Sequence, residues 1–248
     1  MLEHVQLTSG ANTIDVRVAT PTGRATSAHT LMLVHGLPRT PGMGRQAAAL
    51  LPELAEHLAA ESGWKVITGT FSGVGSSSGS FTPAQWSADL AVLTDYCCED
   101  DRTLALAGFG FGGVLALSRA AADERVRGVA TFATPAHLEH WMVAPEHFHA
   151  AVQDAGLVTD VPAFPDAATL WNDMMALSPL GAISEIPPRR LLIGHGSDDL
   201  EVPVNDARDL VSAADGRAEL RIIQSAGHQL RADPRMVATL LGWLDRHR

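Results

Sequence analysis

Apolar residues near the start of this 248-residue chain fall on alternate positions, Val5 and Leu7 followed by Ile14, Val16 and Val18. A period of two belongs to strands with one covered and one solvated face, so two antiparallel strands are expected first. The pattern then changes. Short runs at 31–34, 66–67, 104–107, 129–132, 191–193 and 220–223 are apolar almost throughout. Such strands suit a parallel sheet covered on both faces. Between them apolar residues recur at helical spacing: Leu50, Leu51, Leu54 and Leu58 within 46–60, Leu90, Val92 and Leu93 within 87–96, and Val237, Leu240, Leu241 and Leu244 within 236–246, with Pro234 just ahead. The expected fold class is α/β, a mostly parallel, doubly wound sheet with antiparallel N-terminal strands.

The rhythm breaks at 135–185, where helical patches alternate with prolines and carry Trp141, Phe148 and Trp171. An insertion there would follow the C-terminal end of a strand and cap the sheet edge at which open α/β sheets bind ligands. The chain is expected to form one domain over 1–248, with 135–185 as a cap. At that size folding buries roughly three-quarters of the unfolded surface.

Charge narrows the partners. A net charge of −10 disfavours nucleic acid and anionic membrane, and no apolar stretch is long enough to span a bilayer. The start, Met1-Leu2-Glu3-His4, lacks the basic and apolar regions of a secretory signal. Lys65 is the only lysine, which leaves Schiff-base chemistry little to work with. Cys97 and Cys98 are adjacent, a spacing that rarely bridges, so reduced thiols in a cytoplasmic setting are expected. The following Glu99, Asp100 and Asp101 should suppress thiolate. The histidines of the cap (His137, His140, His147, His149) have no partners recurring at ligand spacing elsewhere, so no metal and no cofactor is expected.

The candidate chemistry centres on Gly108-Phe109-Gly110-Phe111-Gly112, which ends an apolar strand and opens a helix. That is the setting of the Gly-x-Ser-x-Gly nucleophile elbow, with glycine at the nucleophile position. Upstream, Leu33-Val34-His35-Gly36-Leu37-Pro38 closes a strand; downstream come His195-Gly196-Ser197-Asp198-Asp199-Leu200-Glu201-Val202-Pro203 and then Ser225-Ala226-Gly227-His228.

In that order these motifs resemble the oxyanion loop, elbow, acid loop and histidine loop of the α/β-hydrolase superfamily, most of all its small serine esterases, thioesterases and peptidase-like members. The glycine- and serine-rich segment Phe71-Ser72-Gly73-Val74-Gly75-Ser76-Ser77-Ser78-Gly79-Ser80 adds to the likeness. The resemblance spans nearly the whole chain. It implies Asp199, not Asp198, as the acid and His228 as its histidine. It also implies an oxyanion pocket at Gly36, formed by the backbone N–H groups of Leu37 and Phe111. Trp141 of the cap joins this set as a ligand contact.

Gly110 departs from the pattern. A His228–Asp199 pair and an oxyanion pocket can still bind a ligand, but no acyl-enzyme forms without a nucleophile; losing one costs about a millionfold in rate. Ser72, Ser76, Ser77, Ser78 and Ser225 belong to other loops. Three functions remain open: a non-hydrolytic protein binding a small apolar ligand; an enzyme using the dyad as general base, of lyase or cofactor-free oxygenase type; or a serine ester or thioester hydrolase altered at position 110.

Overall fold

The computed structural model describes residues 1–21, 28–38, 40–99 and 103–247. The chain opens with β1 (Leu2–Ser9) and β2 (Asn12–Ala19), an antiparallel hairpin. It continues through β3 (His29–Val34), α1 (Leu51–Ser62), β4 (Lys65–Thr70), α2 (Pro83–Cys97), β5 (Thr103–Phe109), α3 (Phe111–Ala122) and β6 (Val126–Phe132). The helices α4 (Leu138–Met142), α5 (Pro145–Asp154), α6 (Ala167–Met175) and α7 (Pro179–Ser184) come before β7 (Arg190–Gly196), α8 (Val204–Ala213), β8 (Glu219–Ile223) and α9 (Pro234–Asp245). The sheet has eight strands in the order β1-β2-β4-β3-β5-β6-β7-β8. Strands β3 to β8 run parallel, and β2 joins them antiparallel against β4.

Alternation along the central strands builds two cores. Leu31 and Leu33 pack with the apolar faces of α1 and α9, while Met32 and Val34 pack with those of α2, α3 and α8. Both faces are therefore dry, which is why these runs read as apolar throughout. After β3 the chain lays β4 on one side and β5 on the other. A crevice opens at such a reversal, beyond the C-terminal ends of the two strands.

Two expectations need correction. The helical pattern at 46–60 begins as a short 3₁₀ turn at Gly44–Gln46, and α1 starts only at Leu51, with Pro52 in its first turn. Proline suits a first turn because its missing N–H has no intrahelical partner there. Secondly, the solvated face expected of β2 is partly covered: Thr13 is exposed, but Asp15 is buried along with Ile14, Val16 and Val18. The glycine- and serine-rich loop folds over it, and the Asp15 N–H donates to Ser77 Oγ at 2.9 Å. The Asp15 carboxylate meets His4 and lies 3.1 Å from Arg17 Nη1, so its burial is compensated by charge. The helix α7 packs against α3 and α8.

Candidate active site

The strand β5 ends at Phe109, and Gly110 turns the chain into α3 with φ 54° and ψ −123°. A side chain holds that backbone only under strain, whereas glycine holds it freely. The Gly110 N–H donates to the Phe132 carbonyl at 2.8 Å, which pins the turn to β6. The loop after β3 closes on the other side. A Cβ on Gly36 would lie 2.8 Å from the Phe109 carbonyl oxygen and 3.9 Å from the Phe111 nitrogen, so glycine permits this approach.

His35 anchors that loop. The Phe71 N–H donates to His35 Nε2 at 3.1 Å, so Nδ1 carries the proton and donates to the Gly36 carbonyl at 2.9 Å. The ring is neutral, and burial brings its pKa down to about 4. The unfolded chain takes up this proton below about 6.5, and the folded protein only near 4. His35 therefore lowers stability as pH falls through that window, by roughly 3 kcal/mol in all. Denaturant titrations between pH 7 and pH 4 should show a shallower fall for His35→Gln than for the parent; parallel curves would refute the assignment.

Asp199 sits in the turn after β7 with its side chain fully buried. Its Oδ1 accepts the N–H groups of Glu201 and Val202, both at 2.9 Å. Its Oδ2 accepts the His228 Nδ1–H at 2.9 Å, and His195 Nε2 lies 3.4 Å away. Burial works against the charge, but the hydrogen bonds from His195, His228 and Val202 prevail, so the carboxyl titrates well below the usual carboxylate range. With Nδ1 donating, His228 turns Nε2 toward the elbow: a Cβ built on Gly110 would lie 3.5 Å from it. The acid, the histidine and position 110 thus lie in sequence across the site, Asp199 to His228 to Gly110.

Gly36, Leu37, Gly110, Phe111, Trp141 and His228 all line one cleft of about 280 Å³. The Trp141 ring, presented by α4, stacks on Phe111 at 5.9 Å with a 9° interplanar angle. Phe111, at the first position of α3, has no intrahelical acceptor for its N–H.

No family model and no curated protein matches the chain. Solved structures do. The proline iminopeptidase of Mycobacterium smegmatis is 17% identical with a TM-score of 0.71, the alignment covering 99% of this chain and 98% of that one. GrgF, an α/β hydrolase from Penicillium sp. sh18, is 20% identical at 0.68, covering 100% and 99%. XC6422 from Xanthomonas campestris, an α/β serine hydrolase without a lid, is 20% identical at 0.65, covering 99% and 92%. The chain has the α/β-hydrolase fold.

Within this hydrolase fold the sequence-derived site residues lie together, and of Trp141, Phe148 and Trp171 only the first lines the cleft. Phe148 is buried under α5, edge-on to Phe81, and Trp171 packs against the core from α6. The lining instead includes Thr40, Glu201 and Arg231, which sequence reasoning passed over, and His195 supports Asp199 unanticipated. The His-Gly pair at 195–196 was the available signal for His195. Thr40 makes no hydrogen bond to His228 among the described residues, and none of the serines weighed as substitutes lines the cleft.

The remaining chemistry lies elsewhere. Burial, ahead of neighbouring charge, raises both the Cys97 and the Cys98 thiol; Asp100 and Asp101, expected to do so, lie outside the described residues. Lys65 places Nζ 5.7 Å from the centre of the Tyr96 ring. His137 precedes α4, outside the helix, and bonds Asp209 at 3.0 Å; its ligand-type atoms and those of Glu139 and His140 lie within 4.8 Å of one another, away from the cleft lining. Among the described residues no helix is long and apolar enough to cross a membrane.

Proposed function

We propose that this protein is a non-hydrolytic member of the hydrolase fold that binds a small organic ligand in the cleft between Gly110 and His228. The observation that carries this reading is the geometry at position 110. An elbow backbone, a histidine directed at it and a buried acid behind that histidine surround a residue with no nucleophilic atom. The oxyanion role of the Leu37 and Phe111 N–H groups belongs to this proposal, as does that of α4 to α6 as a cap holding Trp141 over the cleft. A cytoplasmic setting is part of the same proposal.

The purified protein should turn over p-nitrophenyl acyl esters no faster than His228→Ala. Turnover that disappears in that variant would overturn the reading. A second reading is favoured by one detail: Asp199 keeps its charge and orients His228, an arrangement that binding alone does not need. His228 would then act as a general base toward an acidic C–H substrate, a contribution of about 10²–10⁴-fold. The same pair of proteins separates the two, because His228-dependent deuterium exchange into a β-dicarbonyl compound belongs only to the second.

A further inference from the structure

Arg231 lines the cleft from the 3₁₀ turn that follows His228. Its Nε is buried without a hydrogen-bond partner, and among the described residues no carboxylate lies within ion-pairing distance of it. Burial works against its charge, and the Glu201 carboxylate acts more weakly in the opposite direction. A guanidinium stays charged in proteins, so leaving one partly buried and unpaired is unfavourable unless a ligand completes it.

Resting on the binding reading above, we propose that the cleft takes a ligand bearing a carboxylate, which Arg231 holds in a forked pair of hydrogen bonds. A guanidinium fork matches a planar carboxylate in a way few other side chains can. A second feature points the same way: Phe111 opens the twelve-residue helix α3 onto the same cleft, and helix N-termini favour anionic or carbonyl oxygen. The counter-charge is Glu201, the lining's one carboxylate among the described residues. It is 46% exposed and stands 4.0 Å from His228 Nε2, so solvent screens it. The His35 ring behind the oxyanion loop is neutral and adds no charge. Among the described residues the cleft therefore carries one partly buried guanidinium whose nearest counter-charge is exposed to solvent, which favours an organic acid over its neutral analogue.

The test is calorimetric titration of the intact protein with phenylacetate, 3-phenylpropionate and 4-phenylbutyrate, beside the corresponding primary amides. At least one acid should bind at millimolar concentration or better and exceed its amide about tenfold or more. Arg231→Met should lose about 10- to 100-fold in affinity for that acid and leave the amide unchanged. The melting temperature of Arg231→Met should hold or rise, since the variant removes a charge with no partner and keeps an apolar stem. Equal affinity for acid and amide, equal loss of both in Arg231→Met, no acid binding, or a lower melting temperature in the variant would each overturn the proposal. If the protein turns out to hydrolyse esters, the same acids are read as competitive inhibitors of that turnover. The anion preference and the non-hydrolytic reading can therefore fail separately.

Discussion

Gly110→Ser is expected to make the protein react with a fluorophosphonate probe to which the parent is inert. A Cβ at this position meets nothing closer than His228 Nε2 at 3.5 Å, His228 Cε1 at 3.8 Å and the Ala133 carbonyl oxygen at 4.0 Å, all ordinary contacts. The added hydroxyl, one bond further out, comes within hydrogen-bonding reach of a ring nitrogen whose partner nitrogen is already committed to Asp199. Removing such a serine from a working hydrolase costs about 10⁶-fold. Placing one at position 110 of this cleft should raise p-nitrophenyl acetate hydrolysis by about 10³-fold or more, within that ceiling. Adding Asp199→Asn should abolish most of the gain, because the histidine then loses the carboxylate that sets its tautomer. Positive φ at 110 should lower the stability of the serine variant by about 1–3 kcal/mol. A folded Gly110→Ser protein that neither labels nor hydrolyses would show that the His228–Asp199 pair is not a catalytic remnant.

Gly112→Ala should destabilise the fold strongly. Its Cβ would sit 2.5 Å from the Val34 carbonyl oxygen and nearer still to that of His35. Both are backbone atoms at the end of β3, so relief requires moving α3 away from the strand it covers. Overpacking of this kind costs about 3 kcal/mol or more, which in a domain of this size lowers the melting temperature by roughly 6–12 °C. Gly10→Ala is the control: nothing lies within 4 Å of its Cβ, and only the positive φ of 60° opposes it. That substitution should cost about 1 kcal/mol. Similar losses for the two would remove the close approach of β3 to α3 as the reason for glycine at 112.

These glycines also explain how much of the molecule could be read from the chain alone. The elbow, the His35-Gly36 turn and the acid loop each compress their requirements into a few adjacent residues, where backbone geometry dictates residue type. The family resemblance selects Asp199 over Asp198, and in the structure the His228 Nδ1–H donates to Asp199. Features set by distant chain stayed hidden. Asp15 looks solvated until the 72–78 loop covers it, and no local pattern records that α5 and α6 turn Phe148 and Trp171 inward while α4 presents Trp141 to the cleft. Arg231 was equally illegible: one turn past His228, its direction depends on how the 3₁₀ turn is seated, which no local pattern records.

The place of β4 between β2 and β3 carries a consequence for how the molecule assembles. The β1–β2 hairpin is wholly local, turning at Gly10, and closes on a microsecond scale. A two-stranded ribbon is only marginally stable alone, and its docking edge does not exist until β3, α1 and β4 have formed and placed β4 alongside. The segment that comes first in the sheet is thus among the last to lock. Until it does, β4 stands as an open edge of residues that are mostly buried in the finished fold, a point at which an unfinished chain is exposed to mispairing with another copy of itself.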